Sequence, residues 1–406
     1  MNRKFLLIFL YLYALIFSVS KTIRIPNEWA RSHWLLDYRF GFIKRGLAGE
    51  LFGFLFEKKL FSIIVLSAGI LCLLYFLILK IALKSTLSFQ KSFYRILFFV
   101  IFLLSQYIVF SAHLIGYLDH VIFLLTILSV YLIGRGKLFL SSLVVVFSIF
   151  IHEISLFLML PVCCFSIIMN ETSIQQFSFR DIISKHLLKK LSTFIILPLF
   201  AVFSISFFQE MYGENYYSEI FSYLKSSSIS PKVADSVSGA YTKSFSYYLK
   251  DQYVHFIQRL FISKATIFYG IPLLFSLWMM FKEFKLQKNI QLFILLASVS
   301  FIPLLLHAIA YDTYRIWSFP FMILFLIFWI LSSKSEKNEH ETKPISVPEI
   351  VFFMVAFLLV TLIPNFLFDD ETERFSLWMR LILILPILSI LYFLKKASIR
   401  KPTEAY

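Results

Sequence analysis

A chain of 406 residues would ordinarily make two or three soluble domains of about 150 residues each. Its composition forbids that: hydrophobic residues reach 59% and charged residues only 16%, against roughly 45–50% and 25% in soluble globular proteins. Water cannot be the solvent for so much apolar surface, 50 Phe included, so soluble enzymes, secreted modules, fibrous and disordered chains are excluded together, and the chain reads as an all-α, polytopic membrane bundle.

A crossing helix needs about 20 mostly apolar residues, within a range of roughly 17–25. In chain order such runs lie at 5–20, 61–79, 96–112, 120–134, 138–152, 154–169, 191–208, 265–281, 289–306, 317–332, 349–366 and 379–394. That predicts about twelve transmembrane helices, with 120–134, 138–152 and 154–169 the shortest and most closely spaced. Residues 1–20 also read as a secretory signal, because Arg3-Lys4 precedes an apolar run ending Ser18-Val19-Ser20. Cleavage there leaves the later alternation unchanged. Cys72, Cys163 and Cys164 fall inside apolar runs, where a thiol packs as a small hydrophobe and no disulfide framework is implied.

Lys and Arg favour cytoplasmic loops. Placing the N-terminus in the cytoplasm and alternating puts 22 of 39 basic residues on that side, but only 8 of 24 acids. The net charge of +15 is therefore a topology signal, and the nucleic-acid partner that a basic chain suggests is set aside. Both termini are then cytoplasmic. Two exterior loops are long, at 21–60 and 209–264, and the second is rich in Tyr and Ser; loops of that length are usually functional or disordered. A polar cytoplasmic linker occupies 333–347. No internal repeat and no nucleotide-binding glycine loop is visible.

The chemistry gathers on the exterior side. Six of eight His, with Asp37, Glu50, Asp119, Glu153, Asp312 and Arg315, fall there or at the exterior ends of spans. Ionisable groups at that depth are costly enough to be functional candidates. The first loop, Trp29 to Glu50, alternates aromatics with charge and suggests a short interfacial helix. Arg39, Lys44 and Arg45 stand beside Gly41, Gly46 and Gly49, and guanidinium groups suit phosphate oxygens. Asp37 is the loop's candidate catalytic base or metal ligand, an ion pair with Arg39 or Arg45 being the alternative. Asp119 heads the fourth span as a base or hydroxyl acceptor, or else as a helix N-cap. His152-Glu153 sits in a tight reversal, where the pair either shares a proton at a site or merely closes the turn. Towards the tenth span, His307, Tyr311 and Arg315 are spaced to share one helical stripe, and Asp312 and Arg315 to pair; Arg315 there favours holding an anion. Asp369 to Arg374 reads as a solvated turn.

This layout, with charged motifs on the exterior face and Asp37 in a long first loop, resembles membrane glycosyltransferases of the GT-C type and bacterial O-antigen and capsule polymerases. The resemblance implies a bacterial inner membrane, a polyprenyl-diphosphate-linked sugar as donor and a glycan as acceptor. Membrane lipid and other polysaccharide-assembly proteins are the further partners it implies. Asp37 stands where those enzymes carry an acidic base or metal ligand. Tyr38 follows it in place of a second acid, so no metal-ligand set is assigned, no cofactor is implied, and a divalent metal is left open. Arg39, Arg45 and Arg315 match the arginines that bind the anionic donor. Two other readings stand beside this one, a transporter or flippase of lipid-linked glycans and an exterior-facing acyl- or phospho-transferase. Transporters place binding groups at mid-membrane within repeated halves, whereas charges here avoid the span centres.

Overall fold

The structure, a computed structural model, describes residues 3–88, 92–335, 345–367 and 371–399. Lys91, Lys337, Lys343, Asp369, Asp370, Arg400, Lys401 and most of the expected linker lie outside the described residues. Among the described residues the regular elements are all helices, as an apolar solvent demands, because a helix satisfies its own backbone.

In chain order, α1 (Arg3–Ser20) is followed by two short helices, α2 (Glu28–Leu35) and α3 (Gly46–Leu55), and by the long α4 (Leu60–Leu87). Next come α5 (Phe93–Leu104), α6 (Gln106–His113), α7 (Asp119–Gly134), α8 (Leu138–Ile151), the single-turn α9 (Ser155–Leu158) and α10 (Leu160–Glu171). A short α11 (Phe179–Ile182) precedes the long α12 (Lys185–Tyr212), and then α13 (Tyr217–Ser226), α14 (Pro231–Thr242) and α15 (Phe245–Gln252). The chain ends in α16 (Lys264–Phe268), α17 (Gly270–Glu283), α18 (Ile290–Phe301), α19 (Thr313–Lys334), α20 (Val347–Leu362) and α21 (Leu377–Ile399).

Every expected apolar run holds a helix, the run at 349–366 ending its helix at Leu362. Eight segments are long and apolar enough to cross a membrane: Arg3–Ser20, Leu60–Leu87, Phe93–His113, Lys185–Ser226, Lys264–Glu283, Ile290–Ala308, Thr313–Lys334 and Leu377–Lys396. The remaining four, Asp119–Gly134, Leu138–Ile151, Ser155–Glu171 and Val347–Leu362, are shorter apolar helices of 10–17 residues.

The bundle is built around α5, α6 and α19, whose apolar windows are 89–100% buried, against 22–33% for α4, α12 and α21. Phe is the contact residue of that axis. Phe98 stacks on Phe328 at 4.2 Å, and Phe102 on Phe325 at 4.4 Å, offset-stacked geometry that adds to plain area burial. The outer helices instead expose Phe, as Phe200, Phe203 and Phe207 do on α12. In lipid such a face needs no cover.

Hydrogen bonds distinguish two ends. At the end with short connections, Arg95 is buried, pairs with Glu283, and donates from Nη1 to the Ser85 carbonyl (2.9 Å) and to Ser332 Oγ (3.2 Å). Asn289 likewise donates to the carbonyls of Ile174 and Phe177. At the other end, residues 21–59 and 213–252 fold onto each other as a helical cap with its own core of Trp34, Phe40, Phe52, Ile220, Leu224 and Val237. α2 packs between α3 and α14, with Trp34 buried and its Nε1 donating to the Gly116 carbonyl. Trp34 and Phe40 of the first loop are thus core residues of the cap, and Trp29 and Tyr38 pack against that core partly buried.

Removing one member of a buried ion pair strands the other. Arg95→Ala leaves Glu283 without its partner, and we expect a loss of ~3–5 kcal/mol in unfolding from detergent micelles. Arg95→Met combined with Glu283→Leu should lose less than Arg95→Ala alone, and an equal or greater loss contradicts the pairing argument.

Candidate functional site

Between cap and bundle lies a cavity of about 660 Å³. Three chain segments bring cations and carboxylates to it. The first is the turn before α3. Gly41 takes a φ of 91°, left-handed backbone that favours glycine, and the Tyr216 ring lies 2.6 Å from where a Cβ would stand, so a side chain there would have to displace that ring. Gly49 is needed for a similar reason, facing the Leu36 carbonyl at 1.9 Å from its ideal Cβ. These glycines admit other parts of the protein. Arg45 follows with a φ of 63°, left-handed backbone that costs a residue bearing Cβ about 1–2 kcal/mol.

The second segment is the reversal between α8 and α9. Ser148 and Ser155 close it through their hydroxyls at 2.8 Å, and His152 and Glu153 project from it to line the cavity. Arg45 grips Glu153 bidentately, Nε donating to Oε2 at 2.9 Å and Nη2 to Oε1. Glu153 Oε2 also lies 3.2 Å from His152 Nδ1. The third segment is residues 306–319. Arg315 donates through Nε and Nη2 to both oxygens of Asp119 (2.8 and 2.7 Å) and through Nη1 to Asp312 (2.9 Å). Tyr311 donates to Asp251 at 2.9 Å.

The cap adds a fourth wall that was legible in the sequence only as a Tyr-rich stretch. Lys44 donates to the Lys243 carbonyl at 2.7 Å and lies over the Tyr248 ring. His33 Nδ1 is hydrogen-bonded to the Tyr241 hydroxyl at 2.9 Å, and Arg45 stands over the same ring. His33, Asp235, Lys243, Tyr248 and Asp251 all line the cavity. Asp235, Lys243, Tyr248 and Asp251 were signalled in advance only by the composition of the second loop, and His33 only as one of the exterior histidines.

The electrostatics follow from burial. Burial pulls the Lys44 ammonium down to about 8, with Glu153 opposing the fall and Arg45 adding to it. Burial alone would raise the Glu153 carboxyl, but Arg45 and His152 hold it well below the usual range. The imidazoles of His152 and His33 are both lowered, first by burial and then by Arg45, so both are neutral at pH 7.

Of the residues singled out from sequence, Lys44, Arg45, His152, Glu153, Tyr311, Asp312 and Arg315 line this one cavity. Asp119 lies behind Arg315 as its carboxylate partner; it begins α7 without acting as the N-cap, which is Leu118. Asp37 and Arg39 are elsewhere. Asp37 caps a short helical turn and pairs with Arg39 and Lys58, and although burial alone would raise its carboxyl, those partners hold it at about 2. A carboxylate so held is a poor base. The stripe expected over 307–315 is not one helix. Pro303 opens a 3₁₀ segment from Ile302 to Ala308, α19 begins only at Thr313, and His307 is buried with neither ring nitrogen hydrogen-bonded. Among the described residues no three His, Cys, Asp or Glu side chains converge as a metal-ligand group.

The floor of the cavity is apolar. Val202 and Ile205 on α12, Phe157 on α9, and Ile316 and Phe319 on α19 line it. At 1.5 Å per residue, Val202 lies roughly 15 Å along α12 from its capped end, about half the thickness of a bilayer's hydrocarbon core.

Arg45→Lys keeps the charge and loses the fork. With the bidentate pair gone we expect a stability loss of about 1.5–3 kcal/mol, measured by thermal unfolding in detergent; an unchanged melting temperature contradicts the assigned pairing. Compared with known proteins, the chain matches no family model, no curated protein and no solved structure.

Proposed function

We propose that the protein is a membrane-embedded glycosyltransferase or polysaccharide polymerase acting on polyprenyl-diphosphate-linked sugars at the exterior face of a bacterial inner membrane. The observation that carries this reading is one cavity with two characters. Its capped half holds Lys44, Arg45, Lys243 and Arg315 with paired carboxylates, and its floor is apolar to mid-helix depth. A molecule with an anionic head and a hydrocarbon tail matches both parts.

In this reading the four shorter apolar helices also cross, giving about twelve spans, with both termini in the cytoplasm and the cap outside. Lys44 and Arg45 hold the diphosphate; Arg45 uses Nε and Nη2 on Glu153, which leaves Nη1 for an anion. His152 is the base. With the Nδ1 proton directed to Glu153 at 3.2 Å, in preference to the longer 3.4 Å approach of the Ile154 N–H, Nε2 keeps a lone pair to take the proton of an acceptor hydroxyl. The acceptor oxygen bonds to the sugar's anomeric carbon as the carbon–oxygen bond to the diphosphate breaks. The electron pair goes to the diphosphate, whose developing charge the cations stabilise. Asp37, Arg39 and His307 take no part in this mechanism.

A second reading, a flippase for the same lipid, is favoured by the breaks beside the cavity, the α9–α10 joint and the Ile302–Ala308 segment, since transporters bind at discontinuous helices. Reconstituted protein separates the two: a transferase changes the mass of the lipid-linked glycan, whereas a flippase changes only its leaflet.

With a lipid-linked oligosaccharide as substrate, His152→Ala should slow transfer by about 10²–10⁴-fold while the protein still folds, and unchanged turnover would remove His152 from the mechanism. Binding should also depend on pH. Lys44 is charged below its value of about 8 and neutral above it. Affinity for the lipid diphosphate should therefore fall by up to about tenfold as pH rises from 7 to 9 and the charged fraction of Lys44 drops, removing one charge-assisted hydrogen bond. Lys44→Met should abolish that dependence, and a pH profile unaltered by Lys44→Met contradicts the role.

A further inference from the structure

Between the cap and the span that begins at Lys264, residues 253–263 form an arm that matches neither a water-exposed loop nor a spanning helix. Tyr253, Val254, Ile257, Phe261 and Ile262 are each 59–73% exposed. Together with the exposed His255 and Gln258 they make up the outward side of the arm, five of its seven exposed side chains being large and apolar. A contiguous patch of large apolar side chains on a segment facing water marks an interaction surface.

The opposite face is tied down. Arg259 Nη1 donates to the Ala310 carbonyl at 2.9 Å, and Nη2 donates to Gln252 Oε1 at 2.8 Å. The Arg259 carbonyl in turn accepts from Trp317 Nε1 at 3.2 Å and from Ser263 Oγ at 2.8 Å. The arm therefore cannot roll to hide its apolar face. Its last part is a π-helical turn, Gln258–Ile262, the kind of irregular backbone that membranes tolerate only where protein or water satisfies it. Arg259 and Ser263 supply that satisfaction from within the protein.

The occupant of the exposed face is indicated by what continues it. Ile267 on α16 and Leu305, both on segments apolar enough to cross a membrane, are 58% and 50% exposed, so the arm's face adjoins surfaces that only acyl chains would cover. We propose that residues 253–263 are a re-entrant arm seated in the outer part of the bilayer, its Tyr253–Ile262 face in lipid acyl chains. Because Arg259 clips it to the 307–311 wall of the cavity, the arm fixes the depth of that wall relative to the membrane. This placement stands whether or not the protein transfers sugars.

The test is site-specific quenching. In a background with Cys72, Cys163 and Cys164 changed to Ala, single cysteines replace Phe261, Phe203 on α12 and Lys232 on the cap. Each is labelled with bimane in the full chain, reconstituted in phosphatidylcholine vesicles. Phe203→Cys supplies the lipid-facing reference, and Lys232→Cys, which is exposed on α14, the aqueous one. We expect the label at 261 to be quenched by doxyl groups on lipid acyl chains as strongly as at 203, and to be shielded from iodide. Quenching by iodide at the level seen at 232, without doxyl quenching, overturns the proposal. So does a label quenched by neither agent, which would report a protein partner or a second copy over the arm.

Discussion

The constraint on which this structure depends is that charge taken out of water must be matched at once. Arg45 on Glu153 is the central instance. It joins the first loop to the α8–α9 reversal across 108 residues of sequence, and so fixes the cap on the bundle and the cavity between them. Measured against two well-packed apolar side chains the pair adds little net stability, because desolvation offsets most of the attraction, although breaking it by changing one partner alone is costly. Its value lies in position, since a fork donating to a carboxylate sets distance and plane together. Arg315 does the same for α19 and α7 through Asp119, 196 residues away.

In the proposed function, matched pairs also keep the cavity ready for an anion. Four cations brought together with no acids would repel one another and admit counter-ions. With Glu153, Asp119 and Asp312 in place, the site holds its cations in fixed directions, and donors that are fixed before a ligand arrives need little rearrangement when negative charge appears. The neutral state of His152 follows from the same field, because burial and Arg45 both disfavour its proton.

The helices were legible because lipid imposes a single rule, apolar along a sufficient length; each of the twelve runs holds a helix, and eight segments are long and apolar enough to cross. The gathering of candidate residues on one side was legible as well, since Lys44, Arg45, His152, Glu153 and Arg315 needed only loop membership to be placed. Partnership was not. Nothing local marks Asp37 as the mate of Lys58, or Asp119 as that of Arg315, because those pairings arise from how helices far apart in sequence pack. The stripe at His307 failed for a nameable reason: spacing of four residues means a shared face only within a helix, and Pro303 and the bend before Thr313 deny it one. The pairing of His33 with Tyr241 was not legible because a cap with its own core was read as two separate loops.

The central claim is that one lipid-linked anion occupies both halves of the cavity, and photo-crosslinking tests it most directly. A polyprenyl diphosphate carrying a diazirine on its first isoprene units, irradiated in membranes containing the intact protein, should label Val202, Ile205 or Phe319, which line the cavity floor. Labels found only at Phe200 and Phe203, on the outward face of α12, with no protection by excess unlabelled lipid diphosphate, would contradict the account.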